Sequence, residues 1–283
     1  MGATTNTTSV LAPASTASYD DSTILDERRK ARAKTRTTVW VIRIGVLALF
    51  VLAWELATSR GLIDKMLIST PFDVAAAFIT QLADSTFWID VASTFSGAMV
   101  GLISGAILGI LAGVLFIRVD VLYTAARPFL TLVNSLPRPA LAPIFILWFG
   151  LGFGPKVLVA FSVVFFVLLT STMGALESID HDIKQLTKSL GMKPAQRFFK
   201  IELPSALPSI IGGLRLGSVY AVLGAVVSEM VGAYTGLGQR LVVVTNNFQV
   251  DDTFAILLAM GLLAMLLDLS ISGLQKGVTK WTR

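Results

Sequence analysis

No cysteine occurs in the 283 residues, which excludes disulfides, thiolate chemistry and cysteine-ligated metals. Histidine is nearly as scarce. The single one, His181, sits among Asp180, Asp182 and Lys184 in a polar segment, where it reads as a solvated loop residue. A Ser/His dyad inside an apolar segment is excluded for the same reason. Charged side chains make up only 14% of the chain, against about a quarter in soluble domains. The patterns GxxxxGK[ST], HExxH and GxSxG are all missing, so no motif for nucleotide, metal-dependent or serine hydrolysis is present. No catalytic, cofactor-binding or metal-binding residue is assigned, and energy for any work the protein performs has to come from elsewhere.

Apolar sequence is what the chain has in excess, at 54% hydrophobic residues. The runs Val91–Ile117 and Val157–Leu176 contain no charge at all, and a bilayer core is crossed by roughly 20 apolar residues in a helix. Six spans are expected, at about 39–57, 90–117, 127–151, 156–176, 205–232 and 252–274, giving an all-α polytopic membrane protein. The third contains Pro128, Pro137, Pro139 and Pro143 with Asn134 and Arg138. Proline removes a backbone donor and kinks a helix, and freed carbonyls inside a bilayer need partners from neighbouring protein. This span is expected to be irregular and interior.

Residues 1–37 are rich in Ser, Thr and Ala and end in a basic block from Arg28 to Arg36. No apolar core precedes Thr38, so the segment reads as a disordered tail and not a cleaved signal peptide. The membrane domain is expected over 38–283. The net charge of +5 is no nucleic-acid signature, because the basic residues gather at span ends. One set of ends holds the Arg28–Arg43 cluster, Arg118, Arg127, the five bases from Lys184 to Lys200, and Lys276, Lys280 and Arg283. The opposite set holds only Arg60, Lys65, Lys156 and Arg240. By the positive-inside rule both termini and the 177–204 loop are cytoplasmic, in a cell (inner or plasma) membrane. The 58–89 linker faces outward, and Ile68-Ser-Thr-Pro-Phe-Asp-Val74 has the form of a capped helix start. Gly150-Leu-Gly-Phe-Gly154 reads as a turn.

Gly97, Gly101, Gly105, Gly109 and Gly113 recur every four residues in the second span. Such a ladder bares one helix face and admits a second helix at close range. The most unusual stretch is Lys188–Pro204. It places a basic, glycine- and proline-broken segment between two apolar spans. Gly191 permits a left-handed turn. Met192, Phe198, Phe199 and Ile201 offer an apolar face, and Lys193, Arg197 and Lys200 a charged rim, which is the make-up of a compact protein interface. An amphipathic helix lying on the inner leaflet is the plainer alternative.

Gln185-Leu-Thr-Lys-Ser-Leu-Gly191, nine residues, then Ile201-Glu-Leu-Pro204 resembles the cytoplasmic "EAA" loop of ABC-importer permeases. Gly191, Ile201, Leu203 and Pro204 match that pattern in spacing, whereas Gln185, Leu186 and Thr187 replace its Glu-Ala-Ala. Leu136–Gly152, Leu203–Pro208 and Ser228–Gly238 look like the nitrate/sulfonate/taurine branch of the family, and the resemblance covers about residues 40–275. It implies a type I ABC-importer permease fold, with a coupling loop of Gln185, Ser189, Leu190, Gly191, Met192, Lys193, Arg197, Phe198, Ile201, Leu203 and Pro204 docked on an ATPase. It also implies a permease homodimer with two ATPase copies and an extracytoplasmic substrate-binding protein. Cargo would be a small organic anion such as an alkyl sulfonate, taurine or nitrate, although related permeases carry neutral heterocycles.

Ionisable groups within spans mark functional sites by default. Arg138 and Arg215, with Asn134 and Glu229, are therefore the candidate pathway residues. Each has a structural alternative: snorkelling or an ion pair with Asp268 for the arginines, and a buried hydrogen bond for Glu229. An ATPase-independent secondary transporter or channel is the rival function, but the inverted repeat with matching breaks that such folds carry is not found.

Overall fold

A computed structural model describes residues 21–64 and 67–279, with side chains described from residue 37 to 273 and for Gln275. Residues 1–20, Lys65, Lys280 and Arg283 lie outside the described residues, and no side chain is described for Lys276 or for the basic block up to residue 36. The first helix, α1 (Asp21–Ser59), begins inside the segment expected to be disordered. Its stretch of Ala, Arg, Lys and Glu has high intrinsic helix propensity, so no break separates it from the apolar run Thr37–Ser59. Residues up to Leu56 form one unit and those from Ala57 a second.

The second unit is entirely helical over its described residues. It contains α2 (Pro71–Ala83), α3 (Ser85–Arg118), α4 (Asp120–Ser135), a 3-10 turn (Arg138–Leu141) and α5 (Ala142–Phe149). There follow α6 (Phe153–Glu177), α7 (His181–Ser189), α8 (Pro194–Arg197), a π turn (Phe198–Glu202), α9 (Leu203–Val231), α10 (Leu237–Asn246) and α11 (Val250–Thr279). Five helices are long and apolar enough to cross a membrane, and a sixth candidate is the pair formed by α4 and the helical segment Arg138–Phe149, bent by 87° as in a broken span or a re-entrant loop. Five of the six expected spans are continuous helices, and the third is the bent pair.

The bend has a sequence cause. Leu136 precedes a proline and is pushed to extended backbone (φ −70°, ψ 134°), and Pro137 follows at φ −68°, ψ 94°. Irregularity of this span was expected; interior placement was not realised within one chain, because α4 has no buried residue. One face, with Tyr123, Ala126 and Leu130, is half-buried, and the rest of the helix is a long surface that one copy does not cover.

The core lies between α3, α6 and α9. All five ladder glycines face α6. A Cβ on Gly101 would stand 2.5 Å from the Ala160 Cβ, one on Gly109 2.5 Å from the Phe165 carbonyl oxygen, and one on Gly113 2.8 Å from the Thr172 Cβ. Gly224 of α9 meets α6 in the same way, 3.0 Å from the Ala160 Cα. Hydrophobic transfer cannot draw helices together in lipid, so close backbone approach and dispersion supply the association. Ala98, Leu102, Val164, Leu168, Ala221 and Ala225 fill the remaining space, and Ile256 and Leu263 of α11 close the side. Thr70 caps α2, its hydroxyl accepting from the Asp73 N–H at 3.1 Å with Pro71 beginning the helix, as the motif predicts.

Candidate coupling segment and intramembrane polar sites

The segment between α6 and α9 forms an arm. Asp180 opens α7 by accepting the Asp182 N–H at 2.9 Å. At its far end Gly191 adopts φ +67°. The Gly191 N–H donates to the Lys188 carbonyl at 3.0 Å and the Met192 N–H to the Thr187 carbonyl at 3.1 Å. This paired closure satisfies two terminal carbonyls and makes the turn rigid. Lys193 then caps α8, with its N–H bonded to the Gln196 side chain at 3.1 Å and Pro194 at the first helical position.

The arm presents Leu186, Leu190 and Phe199 to the outside, at 61%, 69% and 66% exposure, beside Lys188, Lys193 and Lys200. The apolar face thus differs from the one the sequence indicates. Met192 and Ile201 are half-buried, and Phe198 turns inward against the bundle beneath the Arg118 guanidinium, 4.8 Å from its ring. Gln185 and Ser189 are exposed, while Leu203 and Pro204 start α9 half-buried. Gln185 lies 2.8 Å from the ring of His181, so the lone histidine sits in the arm's first turn.

The four intramembrane candidates do not converge. Arg215 pairs with Asp268 through two bonds of 2.9 Å, joining α9 to α11. Glu229 is fully buried in a network at the opposite end of the bundle. It receives the Lys156 ammonium at 2.6 Å, the Thr94 hydroxyl at 2.8 Å and the Gly238 N–H at 3.0 Å. Asp90 accepts the Gly236 N–H at 2.8 Å, and Thr94 accepts the Leu237 N–H at 2.9 Å. Together these carboxylates and the hydroxyl cap the start of α10. Structural pairing therefore explains Arg215 and Glu229.

Arg138 and Asn134 stand apart. They bond one another across the 87° break, and the Arg138 guanidinium lies 4.6 Å from the ring of Phe166, midway along α6. Its Nε is buried without a hydrogen-bond partner, and no carboxylate pairs with it among the described residues. A neighbouring cavity of 360 Å3 is lined by Arg127, Thr131, Asn134, Phe166, Thr170 and Glu177.

Several polar residues were missed because their partners are remote in sequence. Lys156 reads as an end-of-span charge yet is 2% exposed. Arg240 reaches Asp84 at 2.5 Å and Asp90 at 3.1 Å. The Thr86 hydroxyl and then Arg240 hold the Asp84 carboxyl down at about 2. Burial works against the Arg240 charge, but Asp84 and Asp90 outweigh it and raise its pKa. Glu202 is buried between Arg118 at 2.6 Å and Arg197 at 2.7 Å.

Comparison with known proteins agrees with this architecture. Residues 105–283 match the family model described as the binding-protein-dependent transport system inner membrane component. The formylaminopyrimidine transport permease of Halalkalibacterium halodurans is 30% identical over 81% of this chain and 91% of its own. The riboflavin transport system permease of Chloroflexus aurantiacus is 32% identical over 83% and 88%. The taurine transport system permease of Escherichia coli is 26% identical over 85% and 89%. Among solved structures, an inward-facing form of the MetNI methionine ABC transporter superposes with a TM-score of 0.60 at 20% identity, over 67% of this chain and 94% of that one, which supports the fold. The chain belongs to the family of binding-protein-dependent transport system inner membrane components and is a multi-pass permease of an ABC importer.

Proposed function

We propose that two copies of this chain form the translocation pathway of an ATP-driven importer. Two ATPase subunits dock on the arm, and an extracytoplasmic binding protein delivers cargo to the opposite end. The observation that carries this reading is the rigid arm itself. A turn locked at Gly191 holds exposed apolar side chains, Leu186, Leu190 and Phe199 foremost, and a basic rim away from the bundle. Exposed apolar anchors with a charged border suit a groove on a protein partner. The residues Gln185, Ser189, Leu190, Gly191, Met192, Lys193 and Arg197 form the contact in this reading. Phe198, Ile201, Leu203 and Pro204 anchor it to the bundle. The concentration of basic residues at one set of span ends supports a cytoplasmic arm and cytoplasmic termini.

The uncovered surface of α4 favours a homodimer. Arg127, Thr131 and Asn134 line the cavity between α4 and α6, a polar row that lipid tails do not solvate but a wet pathway closed by a second copy does. Arg138, held beside Asn134 without a carboxylate, gives that pathway a positive centre. It supports a small organic anion, such as an alkyl sulfonate, taurine or nitrate, as cargo. Arg215 and Glu229 support the walls of the pathway from behind. The 30% identity to a formylaminopyrimidine permease favours a second reading, in which a neutral heterocycle is carried and Arg138 serves as a hydrogen-bond donor.

Reconstitution with the ATPase and binding protein tests both. Stimulated ATP hydrolysis with taurine, alkyl sulfonates or nitrate is the expected result. Stimulation by a pyrimidine or flavin alone overturns the anionic cargo. Gly191→Pro is expected to abolish ATPase association while leaving membrane insertion intact, and normal uptake in that variant defeats the docking role.

A further inference from the structure

Glu202 has no part in the proposed docking face. Its residue is 7% exposed, and its two carboxylate oxygens are divided between two elements. Oε1 accepts the Arg197 Nε at 2.7 Å, from the arm, and Oε2 accepts the Arg118 Nη2 at 2.6 Å, from the last residue of α3. Phe198 completes the cluster beneath Arg118. Glu202 closes the π turn, a wide form of helix in which functional residues are often found, and α9 begins at the next residue. One carboxylate therefore joins the arm, α3 and α9.

The surrounding mechanics make this junction informative. α3 is locked onto α6 along its glycine ladder, so a push at the α3 end displaces α3 and α6 together. Among the described residues, another polar tie from the arm to the bundle is slighter, a bond of 3.2 Å from the Lys184 ammonium to the Leu176 carbonyl. A buried carboxylate held by two guanidiniums resists separation, because parting either pair removes one of the two cations that compensate a charge held away from water. The cluster behaves as a stiff pin where the rest of the arm is held by adaptable apolar contacts.

We propose that Glu202 is the positioning residue that transmits movement of the arm to the α3–α6 pair, while making no contact with the ATPase. The inference rests on the importer reading above. It assigns transmission to a side chain outside the exposed docking face, so binding of the ATPase and coupling to transport become separable.

The test uses proteoliposomes containing the permease, its ATPase and its binding protein, with ATP hydrolysis and cargo uptake measured on the same samples. Glu202→Gln is isosteric and removes only the charge. It is expected to leave ATPase association and hydrolysis nearly unchanged and to lower uptake per ATP about tenfold, within the range of coupling between linked sites. Arg118→Gln is expected to do the same, and the double variant to be no worse than either single, since all three break one pin. Glu202→Asp retains the charge and is expected to restore much of the coupling. Equal loss of hydrolysis and uptake in Glu202→Gln, or unchanged uptake per ATP, overturns the proposal. If Glu202→Gln does not assemble, Arg118→Gln decides by the same ratio. A wild-type chain that associates with no ATPase subunit defeats the importer reading itself, a result distinct from loss of coupling in an assembled complex.

Discussion

The Lys156 ammonium lies 2.6 Å from Oε1 of Glu229, and the two side chains are 3% and 0% exposed. Neither is a free charge in the membrane. Lys156 also donates to the Ser93 hydroxyl at 2.7 Å and to the Thr235 carbonyl at 3.0 Å, so every proton of the ammonium has an acceptor. Removing one partner of such a pair leaves the other buried and uncompensated, at a cost of about 3–5 kcal/mol. Lys156→Met is expected to show that loss. The double variant Lys156→Met with Glu229→Gln is expected to be more stable than Lys156→Met alone. Thermal unfolding of purified protein in detergent checks the order, and a single variant as stable as wild type contradicts it.

The loop between α9 and α10 is closed over that pair, and Gly236 is the point of closest approach. It adopts φ +133°, and an added Cβ would stand 2.2 Å from the Glu229 carboxyl carbon. Gly236→Ala therefore meets both a strained backbone and a side chain whose own bonds prevent retreat. The ladder glycine Gly109 meets backbone, 2.5 Å from the Phe165 oxygen, whereas a Cβ on Gly212 or Gly261 has nothing within 4 Å. Gly109→Ala is expected to lower the unfolding temperature in detergent. Gly212→Ala and Gly261→Ala are expected to be neutral or to gain about 0.5–1 kcal/mol from helix propensity. Equal effects at the three helical positions sink the close-packing account.

Much of this was readable from local pattern. The four-residue glycine spacing predicted a tight helix pair, and the α3–α6 contact is that pair. Thr70-Pro71 announced the start of α2, the prolines after Ser135 announced the bend, and Gly191 announced the left-handed turn. Each is a backbone constraint written in consecutive residues. The polar networks were not readable in that way. Glu229 lies 73 residues from Lys156 and 135 from Thr94, and Arg118 lies 84 from Glu202. No spacing rule relates such partners, which meet only because the packed helices set their ends side by side. The apolar face of the arm was misread for a related reason. The π turn rotates Phe198 inward and Phe199 outward, and a regular helical period does not anticipate the extra residue.

Asp84 gives a pH signature. Its carboxyl is lowered from 3.8 to about 2, first by the Thr86 hydroxyl and next by Arg240. A group whose folded pKa is depressed stabilises the fold above its unfolded value, and that contribution disappears as the pH falls through the folded one. The stabilisation is thus complete above about pH 4 and decays between 3.8 and about 2. Thermal midpoints recorded across that window are expected to fall more steeply for wild type than for Asp84→Asn, in which no carboxyl titrates at this position. Parallel curves refute the assignment.

The contrast between the two intramembrane arginines supplies the sharpest functional test. Arg215 is held by both oxygens of Asp268, so its charge is answered within the chain. Among the described residues, Arg138 has the Asn134 side chain and the face of Phe166 but no carboxylate, and a ring face attracts a guanidinium without cancelling its charge. An anion passing the break would therefore meet the Arg138 charge without a counter-ion, and Arg138 would bind it. Hydrogen bonds to charged groups contribute about 1.5–3 kcal/mol, so Arg138→Gln is expected to raise KM for an anionic cargo about tenfold or more. The paired neutralisation Arg215→Gln with Asp268→Asn removes a cation and its counter-charge together, and is expected to leave KM within about twofold, since net potential along the pathway is preserved. Transport kinetics in proteoliposomes separate the two cases. A larger KM change in the paired variant than in Arg138→Gln would place the cargo beside Arg215 instead, and equal insensitivity in both would favour the neutral heterocycle.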